Sequence, residues 1–279
     1  MKNILLGNFA FLGLLPKVAL ESSQILISQP ACQQGSPECL ALVIEAMAQR
    51  YQELADLCDH NALFSLAYLR TTEKFQDTLN TIGYSDRASI VREDALFADY
   101  YFQAYEAYKS NQGNVPPAWQ IAFDAAKNGT VSGAGDLFLG FNAHIQRDLP
   151  FVLYELDLQG HPVSHEDHTL VNQFLQQVSF LDEAAQRFDP TIKDLDLPGD
   201  QDDQQRFQQI VQWRELAFQN YQKLRNASSD EERAQVAAEI EGYSAATATG
   251  IQQLFSYPPG TDSSARDAYC QQCSHTNSL

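Results

Sequence analysis

The sequence predicts an all-α protein, a single bundle of roughly eight helices. Two observations carry this prediction. Apolar residues recur at spacings of three and four along most of the chain, which is the pattern of amphipathic helices. Strand signals are nearly absent, because no run of β-branched residues alternates with polar ones and no Asn-Gly turn separates two apolar stretches.

Each predicted helix shows an apolar stripe or a recognisable end. Pro116 and Pro117 open one of them, since proline is tolerated in the first turn of a helix. Gly133 and Gly135 precede the next, and Ser164 is a suitable N-cap for the one after it. In chain order, the predicted helical ranges are 40–54, 63–69, 94–109, 117–123, 136–157, 164–188, 203–225 and 230–255.

The helical domain is predicted to cover residues 36–257, between an apolar segment at 1–35 and a cysteine-containing tail at 258–279. Lys2 followed by the apolar run Ile4–Leu15 resembles a short signal peptide, although a suitable cleavage site is lacking. The alternative is an N-terminal arm packed on the domain. Export to the periplasm or the extracellular space is slightly favoured over a cytoplasmic location.

The five cysteines bear on the same question. Cys32, Cys39, Cys270 and Cys273 lie near the two ends of the chain, where two disulfides would tie the termini together in an oxidising compartment. Thiols that form no disulfide and a four-thiolate zinc site are the alternatives. Cys58 lies inside a helical pattern and is expected to be a buried core thiol.

The charge and the hydropathy limit the partners. The formal net charge is −18, with 18 basic and 36 acidic residues, which argues against a nucleic-acid partner because phosphate binding needs a basic surface. Beyond the N-terminal segment, no apolar run is long enough for a transmembrane helix, so no stable membrane span is expected. The expected partner is a small-molecule substrate or ligand.

The predicted helix at 136–157 carries the residues that point most directly to chemistry. His144 and Asp148 lie four residues apart, among apolar positions of one helix face. An imidazole and a carboxylate on a buried stripe need partners, which are each other, a third side chain or a metal ion. Asn142 points to a different side of the helix, where it is suited to a hydrogen bond between helices.

A second polar group follows at 161–168, with three histidines and two acidic residues. Most of it is expected to be a solvated helix start capped by Ser164. If the helices at 136–157 and 164–188 pack antiparallel, Asp167 can meet the His144 and Asp148 pair. These three residues together with His165 are then the candidate ligands of one divalent metal, with zinc the first choice.

Further candidates complete the predicted site. Arg70 ends an apolar stripe, so it either extends to water or neutralises the buried carboxylates as a catalytic residue. Tyr101, Tyr105 and Phe141 are expected to line a substrate pocket, and Asn172 to hydrogen-bond inward.

Two other polar residues, Arg214 and Asp99, lie in predicted helices outside this group of candidates. Arg214 follows Trp213 and has the same two interpretations as Arg70, a surface group or a partner of buried carboxylates. Asp99 shares a face with Gln103 and Glu106 and is expected to be solvated.

The string Leu139–Leu149, which reads Leu-Gly-Phe-Asn-Ala-His-Ile-Gln-Arg-Asp-Leu, resembles the hallmark of the bacterial domain-of-unknown-function 5995 family. Phe141 stands where that hallmark has methionine and Gln146 where it has asparagine, while the Asn, His and Asp positions are kept. The similarity covers about Glu38 to Leu254. The resemblance implies an all-helical fold and nominates Asn142, His144 and Asp148 as catalytic residues, without naming a reaction.

Three functions are consistent with these observations. The favoured one is a metal-dependent hydrolase of esters or phosphoesters, in which the bound metal lowers the pKa of a water molecule. The second is a metal-free acid–base enzyme, with His144 as proton carrier and Asp148 fixing its tautomer, acting on a small apolar molecule. The third is a helical binding protein for a lipid or a pigment.

Overall fold

The helical pattern of the sequence extends through nearly the whole structure. The computed structural model describes residues 26–193 and 203–276, and within these ranges the only β-type pairing is an isolated antiparallel bridge between Val131 and Ser256. The predicted all-α class is confirmed. The helices are α1 (Pro30–Gln34), α2 (Glu38–Asp56), α3 (Ala62–Thr78), α4 (Arg87–Ser110), α5 (Pro117–Asn128), α6 (Gly133–Phe141), α7 (Leu149–Leu158), α8 (His165–Leu170), α9 (Asn172–Leu175), α10 (Leu181–Arg187), α11 (Asp203–Asn226), α12 (Asp230–Phe255) and α13 (Ser264–Thr276).

The structure contains more helices than the roughly eight expected from periodicity. The predicted helix at 136–157 is one continuous run, but a π-helical stretch at Asn142–Asp148 separates α6 from α7. The predicted helix at 164–188 is divided into α8, α9 and α10. A short 3₁₀ helix at Pro190–Lys193 and the terminal helices α1 and α13 lie outside the predicted set.

Local sequence signals explain where several helices begin and end. Ser164 accepts a hydrogen bond from the Asp167 backbone N–H over 3.0 Å, which confirms the predicted N-cap of α8. Pro117 occupies the first turn of α5, and Gly129 ends that helix in the left-handed region, at φ 57°. Asp86 caps α4 by accepting from the Ser89 backbone N–H over 3.0 Å.

The core brings together both consecutive helices and helices that are distant in sequence. Helix α2 packs on α3, α11 packs on α7, and α12 packs on α5 and the π-helical stretch. Helices α6 and α3 approach each other closely at Gly140, because a Cβ atom at this position would lie 2.5 Å from Cδ2 of Phe64 on α3. Only glycine permits this contact. It matters for the site, since the Phe64 ring also meets the His144 ring edge-on, with centroids 5.6 Å apart.

Two disulfides join parts of the chain. Cys32 pairs with Cys39 across seven residues, and Cys58 pairs with Cys270 across 212 residues. The predicted disulfides are therefore present, but the pairing that would tie the two termini together is wrong. The prediction that Cys58 is a core thiol is also wrong, because helix α13 brings Cys270 to the turn that follows α2.

Helix α13 is further attached to the body by ion pairs. Arg266 Nη2 lies 2.5 Å from Asp136 Oδ2, and both side chains are buried. Asp267 Oδ1 lies 2.7 Å from Nε2 of His60, which precedes α3. The cysteine-containing tail is therefore attached to the helical domain through α13.

Asp99 of α4 corrects another expectation, because it is completely buried rather than solvated. The backbone N–H of Ile27 donates to its Oδ2 over 3.1 Å, so the chain before α1 covers this part of α4. Burial raises the pKa of Asp99 to about 7. The run Ile4–Leu15, proposed as part of a signal peptide, lies outside the described residues, which begin at Leu26.

Among the described helices, none combines the length and the apolar character required to cross a membrane.

Candidate functional site

The π-helical stretch between α6 and α7 carries the central pair of the site. His144 and Asp148 point from it into the interior, with 4% and 0% of their surfaces exposed. His144 Nδ1 lies 3.3 Å from Asp148 Oδ2, as the four-residue spacing predicts. Stretches of π-helix are rare and are found frequently at functional sites.

The Asp148 carboxylate is held by two further donors. Trp119 Nε1 donates to Oδ2 over 2.8 Å, and Arg147 Nη1 donates to Oδ1 over 3.0 Å. Arg147 is fixed in turn by Glu241 of α12, whose Oε1 accepts from Nε over 2.9 Å and from Nη2 over 2.7 Å. A buried carboxylate needs such partners to replace water. Trp119 donates to the oxygen that the His144 ring contacts, and Arg147 donates to the other oxygen.

The environment also sets the protonation state of His144. Burial lowers the pKa of His144 below its usual value, although the hydrogen bond to Asp148 acts in the opposite direction. The ring is therefore neutral at neutral pH. Because Asp148 accepts from its other partners, we assign the ring proton to Nδ1, which leaves the lone pair on Nε2. Nε2 is buried and has no hydrogen-bond partner among the described residues.

His144 forms part of the wall of a cavity of about 770 Å³, a volume typical of small-molecule sites. The wall is mainly aromatic and aliphatic. Phe97 of α4 stacks on the imidazole, with ring centroids 3.4 Å apart and planes inclined by 7°. Phe141, which the sequence nominated for substrate binding, lines the same cavity. The imidazole is thus held in a fixed orientation beside an apolar space.

Two further polar side chains in this wall lack a complete set of partners. Tyr68 lies with its ring centroid 4.4 Å from that of His144, and Asp94 lines the cavity from α4. The Tyr68 hydroxyl and Asp94 Oδ2 have no hydrogen-bond partner within the described part of the chain. Burial raises the pKa of Asp94 to about 8 and holds the pKa of Tyr68 well above its usual value. Both groups therefore carry a proton at neutral pH and are possible donors.

Of the four residues nominated as catalytic, only His144 lines the cavity; Asp148 contacts this histidine from behind, whereas Asn142 and Arg70 bind elsewhere. Asn142 donates from Nδ2 to the backbone oxygen of Ser244 over 2.9 Å and accepts from Gln146 Nε2 over 2.7 Å. It forms the hydrogen bond between helices that its angular position indicated. Arg70 is partly exposed, and its Nε donates to Glu183 Oε2 over 2.8 Å. It does not contact the Asp148 carboxylate, for which Arg147 is the guanidinium partner.

Three of the four residues nominated for substrate binding also lie outside the cavity wall. Tyr101 is fully buried among core aromatic rings. Tyr105 packs under the Arg50 guanidinium, whose carbon lies 4.5 Å from the ring centroid. Asn172 accepts from Arg214 Nε over 3.1 Å, so it reaches the cavity only through that arginine.

The four residues nominated as metal ligands are not brought together. Asp167 accepts from the backbone N–H and from the hydroxyl of Ser85, both over 2.7 Å, and so fixes the turn before α4. His165 Nε2 lies 2.8 Å from Glu215 Oε2 in an exposed pair. Neither reaches His144. Within residues 26–193 and 203–276, no three His, Cys, Asp or Glu side chains are grouped to hold a metal ion.

Sequence reasoning missed several residues of the site, among them Trp119, Arg147 and Asp94. Trp119 lies in the predicted helix at 117–123, but a helical pattern does not show that its indole N–H has a buried acceptor. Arg147 was available as a signal, because it directly precedes Asp148. Asp94 lies three residues before Phe97 and therefore on the same face of α4. That spacing could have indicated an acidic group beside the aromatic stripe.

Comparison with known proteins supports the resemblance noted in the sequence. No curated protein and no solved structure matches the chain. The model of a family of unknown function, DUF5995, matches residues 40–254, a range that runs from α2 into α12 and includes His144, Asp148 and Asp94. Since this match covers most of the sequence, the chain belongs to the DUF5995 family.

Proposed function

We propose that the protein is an enzyme that transfers protons without a metal ion, using His144 and Asp148 on a small apolar molecule bound in the aromatic cavity. One observation carries the proposal. The imidazole lines the cavity, its Nδ1 contacts a carboxylate held by Trp119 and Arg147, and its Nε2 has no partner among the described residues.

The arrangement matches the requirements of general acid–base catalysis. A neutral His144 accepts a proton at Nε2 from a molecule in the cavity, once a movement of the surrounding side chains uncovers this buried nitrogen. Asp148 stabilises the positive ring that results and keeps it in one orientation. The apolar wall strengthens this interaction because it excludes water. Asp94, which is protonated at neutral pH, supplies a proton donor in the same wall.

The two other functions considered from the sequence are less well supported. A metal-dependent hydrolase requires further ligands near His144, and the nominated Asp167 and His165 bind elsewhere. A binding protein for a lipid or pigment accounts for the apolar wall. It does not account for a neutral imidazole whose second nitrogen is left without a partner.

The substitution His144→Asn tests the proposal, because an asparagine amide can replace the Nδ1 donor to Asp148 while Nε2 is removed. The matched control is His165→Asn, at an exposed histidine outside the cavity. Hydrolysis of p-nitrophenyl octanoate serves as a surrogate reaction, in which His144 takes a proton from a water molecule that enters with the ester and attacks its carbonyl carbon, and p-nitrophenolate leaves. We expect the wild-type protein to hydrolyse the ester at a rate that a chelator does not change. We expect His165→Asn to retain this activity. His144→Asn should lose it while its circular dichroism spectrum stays the same as that of the wild type.

Each other result has a defined meaning. Turnover lost to a chelator and restored by zinc would support the metal-dependent hydrolase. Equal turnover in His144→Asn and the wild type would refute the catalytic role of the imidazole. Binding of the ester without hydrolysis, unchanged in His144→Asn, would support the binding protein.

We also propose that the protein is exported to an oxidising compartment. Two disulfides support this, one of which joins residues 212 positions apart, because such bonds persist mainly outside the reducing cytosol. This proposal is tested by alkylating free thiols in freshly lysed cells that produce the protein and then identifying the alkylated cysteines by mass spectrometry. Alkylated Cys32 and Cys39 in protein from every cell fraction would refute the proposal.

A further inference from the structure

Arg214 of α11 differs from the other arginines buried within the described residues. Three arginines are buried, Arg147, Arg214 and Arg266. Arg147 contacts two carboxylates and Arg266 contacts one. Arg214 instead donates from Nε to the Asn172 amide oxygen over 3.1 Å and from Nη2 to the His168 backbone oxygen over 3.0 Å. No carboxylate of the described residues lies within ion-pair distance of its guanidinium.

The groups around Arg214 supply only part of the missing negative charge. Burial and the charge of Arg214 hold the pKa of His168 well below its usual value, so that ring is neutral. Burial raises the pKa of Glu93 to about 7, although the charge of Arg214 acts in the opposite direction, so Glu93 is only partly ionised at neutral pH. Burial raises the pKa of Asp94 to about 8, and Tyr84 keeps its proton for the same reason. A buried cation with an incomplete counter-charge is costly unless an anion joins it.

The guanidinium is positioned to receive such an anion from the cavity. Arg214 lines the same cavity as His144, and its Nη1 makes no hydrogen bond to the described residues. The rest of the wall is mainly apolar, with Phe138, Phe174 and Phe180 among its members. A molecule that fills this space therefore meets one positive group and a long apolar surface.

We propose that the cavity binds an apolar molecule that carries one carboxylate, with Arg214 Nη1 as the partner of that carboxylate. This inference rests on the proposed function, because it names the substrate class of the same cavity. The carboxylate at Arg214 orients the molecule, and its apolar body extends along the aromatic wall toward His144. Hydrogen bonds between charged groups are about twice as strong as neutral ones, so the head group decides which molecules bind.

Calorimetric titration of the wild-type protein with decanoate, decanol and decylammonium tests the head-group preference. The titration is done at slightly acidic pH, below the pKa of about 7 of Glu93. We expect decanoate to bind at least about tenfold more tightly than decanol, and decylammonium to bind most weakly. Equal binding of decanoate and decanol would overturn the proposal, as would preferred binding of the cation.

The substitution Arg214→Met assigns the preference to one side chain. We expect it to lower the affinity for decanoate to that of decanol while decanol binding is unchanged. Arg50→Met is the matched control, since Arg50 pairs with Glu106 and does not line the cavity. Retention of the preference in a folded Arg214→Met protein would overturn the assignment. If this variant does not fold, the wild-type comparison still decides whether a carboxylate is preferred.

The two proposals fail in different ways. If decanoate and decanol bind equally, the carboxylate assignment is lost but the apolar cavity and the chemistry of His144 stand. If turnover of the surrogate ester is unchanged in His144→Asn, the proposed catalysis is lost, whether or not Arg214 selects carboxylates.

Discussion

Replacing Gly140 by alanine tests the close packing behind the site. A Cβ atom at this position would lie 2.5, 2.6 and 2.9 Å from Cδ2, Cγ and Cβ of Phe64. Contacts this short require a displacement, and Phe64 has little room because its ring also packs edge-on against Tyr101 and Trp119. Inserting a methyl group into a packed core costs about 1–3 kcal/mol, while alanine gains about 0.5–1 kcal/mol over glycine inside a helix.

The difference between these two contributions predicts that Gly140→Ala lowers the free energy of unfolding by about 1 kcal/mol, and by no more than about 2.5 kcal/mol. Gly242 of α12 is the matched control, because no atom lies within 4 Å of its added Cβ. There the same substitution should raise the stability by about 0.5–1 kcal/mol. Urea unfolding followed by far-ultraviolet circular dichroism measures both variants. A Gly140→Ala protein as stable as Gly242→Ala would refute the close approach of α6 and α3.

Three further outcomes are expected. Removing the Cys58–Cys270 disulfide by double alanine substitution should lower the free energy of unfolding, measured with urea, by about 5 kcal/mol. Removing the Cys32–Cys39 disulfide in the same way should lower it by about 2 kcal/mol, because the closed loop spans seven residues rather than 212. Equal losses would contradict this explanation. Asp148→Asn should destabilise the fold by about 3 kcal/mol or more in the same assay, since a buried guanidinium loses one of its carboxylates; a change under about 1 kcal/mol would show that the pair is not buried as described. Decanoate binding, measured calorimetrically, should weaken as the pH rises through about 7 to about 8, because Glu93 and then Asp94 gain negative charge above their pKa values, and Asp94→Asn should remove the upper part of this dependence; an Asp94→Asn protein with the full dependence would exclude this carboxyl group as a cause.

The parts of the fold that the sequence predicted depend on local pattern. The apolar face of α2 and the N-cap of α8 at Ser164 depend on residues three or four positions apart, so the local sequence is sufficient to predict them. The contact between His144 and Asp148 can be predicted in the same way. The π-helical stretch between α6 and α7 cannot, because the spacing of apolar residues does not show which backbone N–H each carbonyl group accepts from.

The residues that were misassigned depend on distant parts of the chain. Asp99 is buried by backbone at Ile27, and Cys58 is bonded to a cysteine on the last helix. Disulfide connectivity cannot be deduced from the positions of five cysteines. Asp167 illustrates the same limit, since the sequence offered a contact with His144 and Asp148, whereas its partner in the structure is Ser85.

The pairing of Cys58 with Cys270 makes most of the family domain one covalent ring. A peptide bond cut anywhere between these two residues leaves both fragments attached to each other. Electrophoresis without a reducing agent would therefore show a nicked molecule at full mass, and only reduction would release the pieces. Limited proteolysis of this protein should be read on reducing gels, because a non-reducing gel would make a cleaved chain look resistant to the protease.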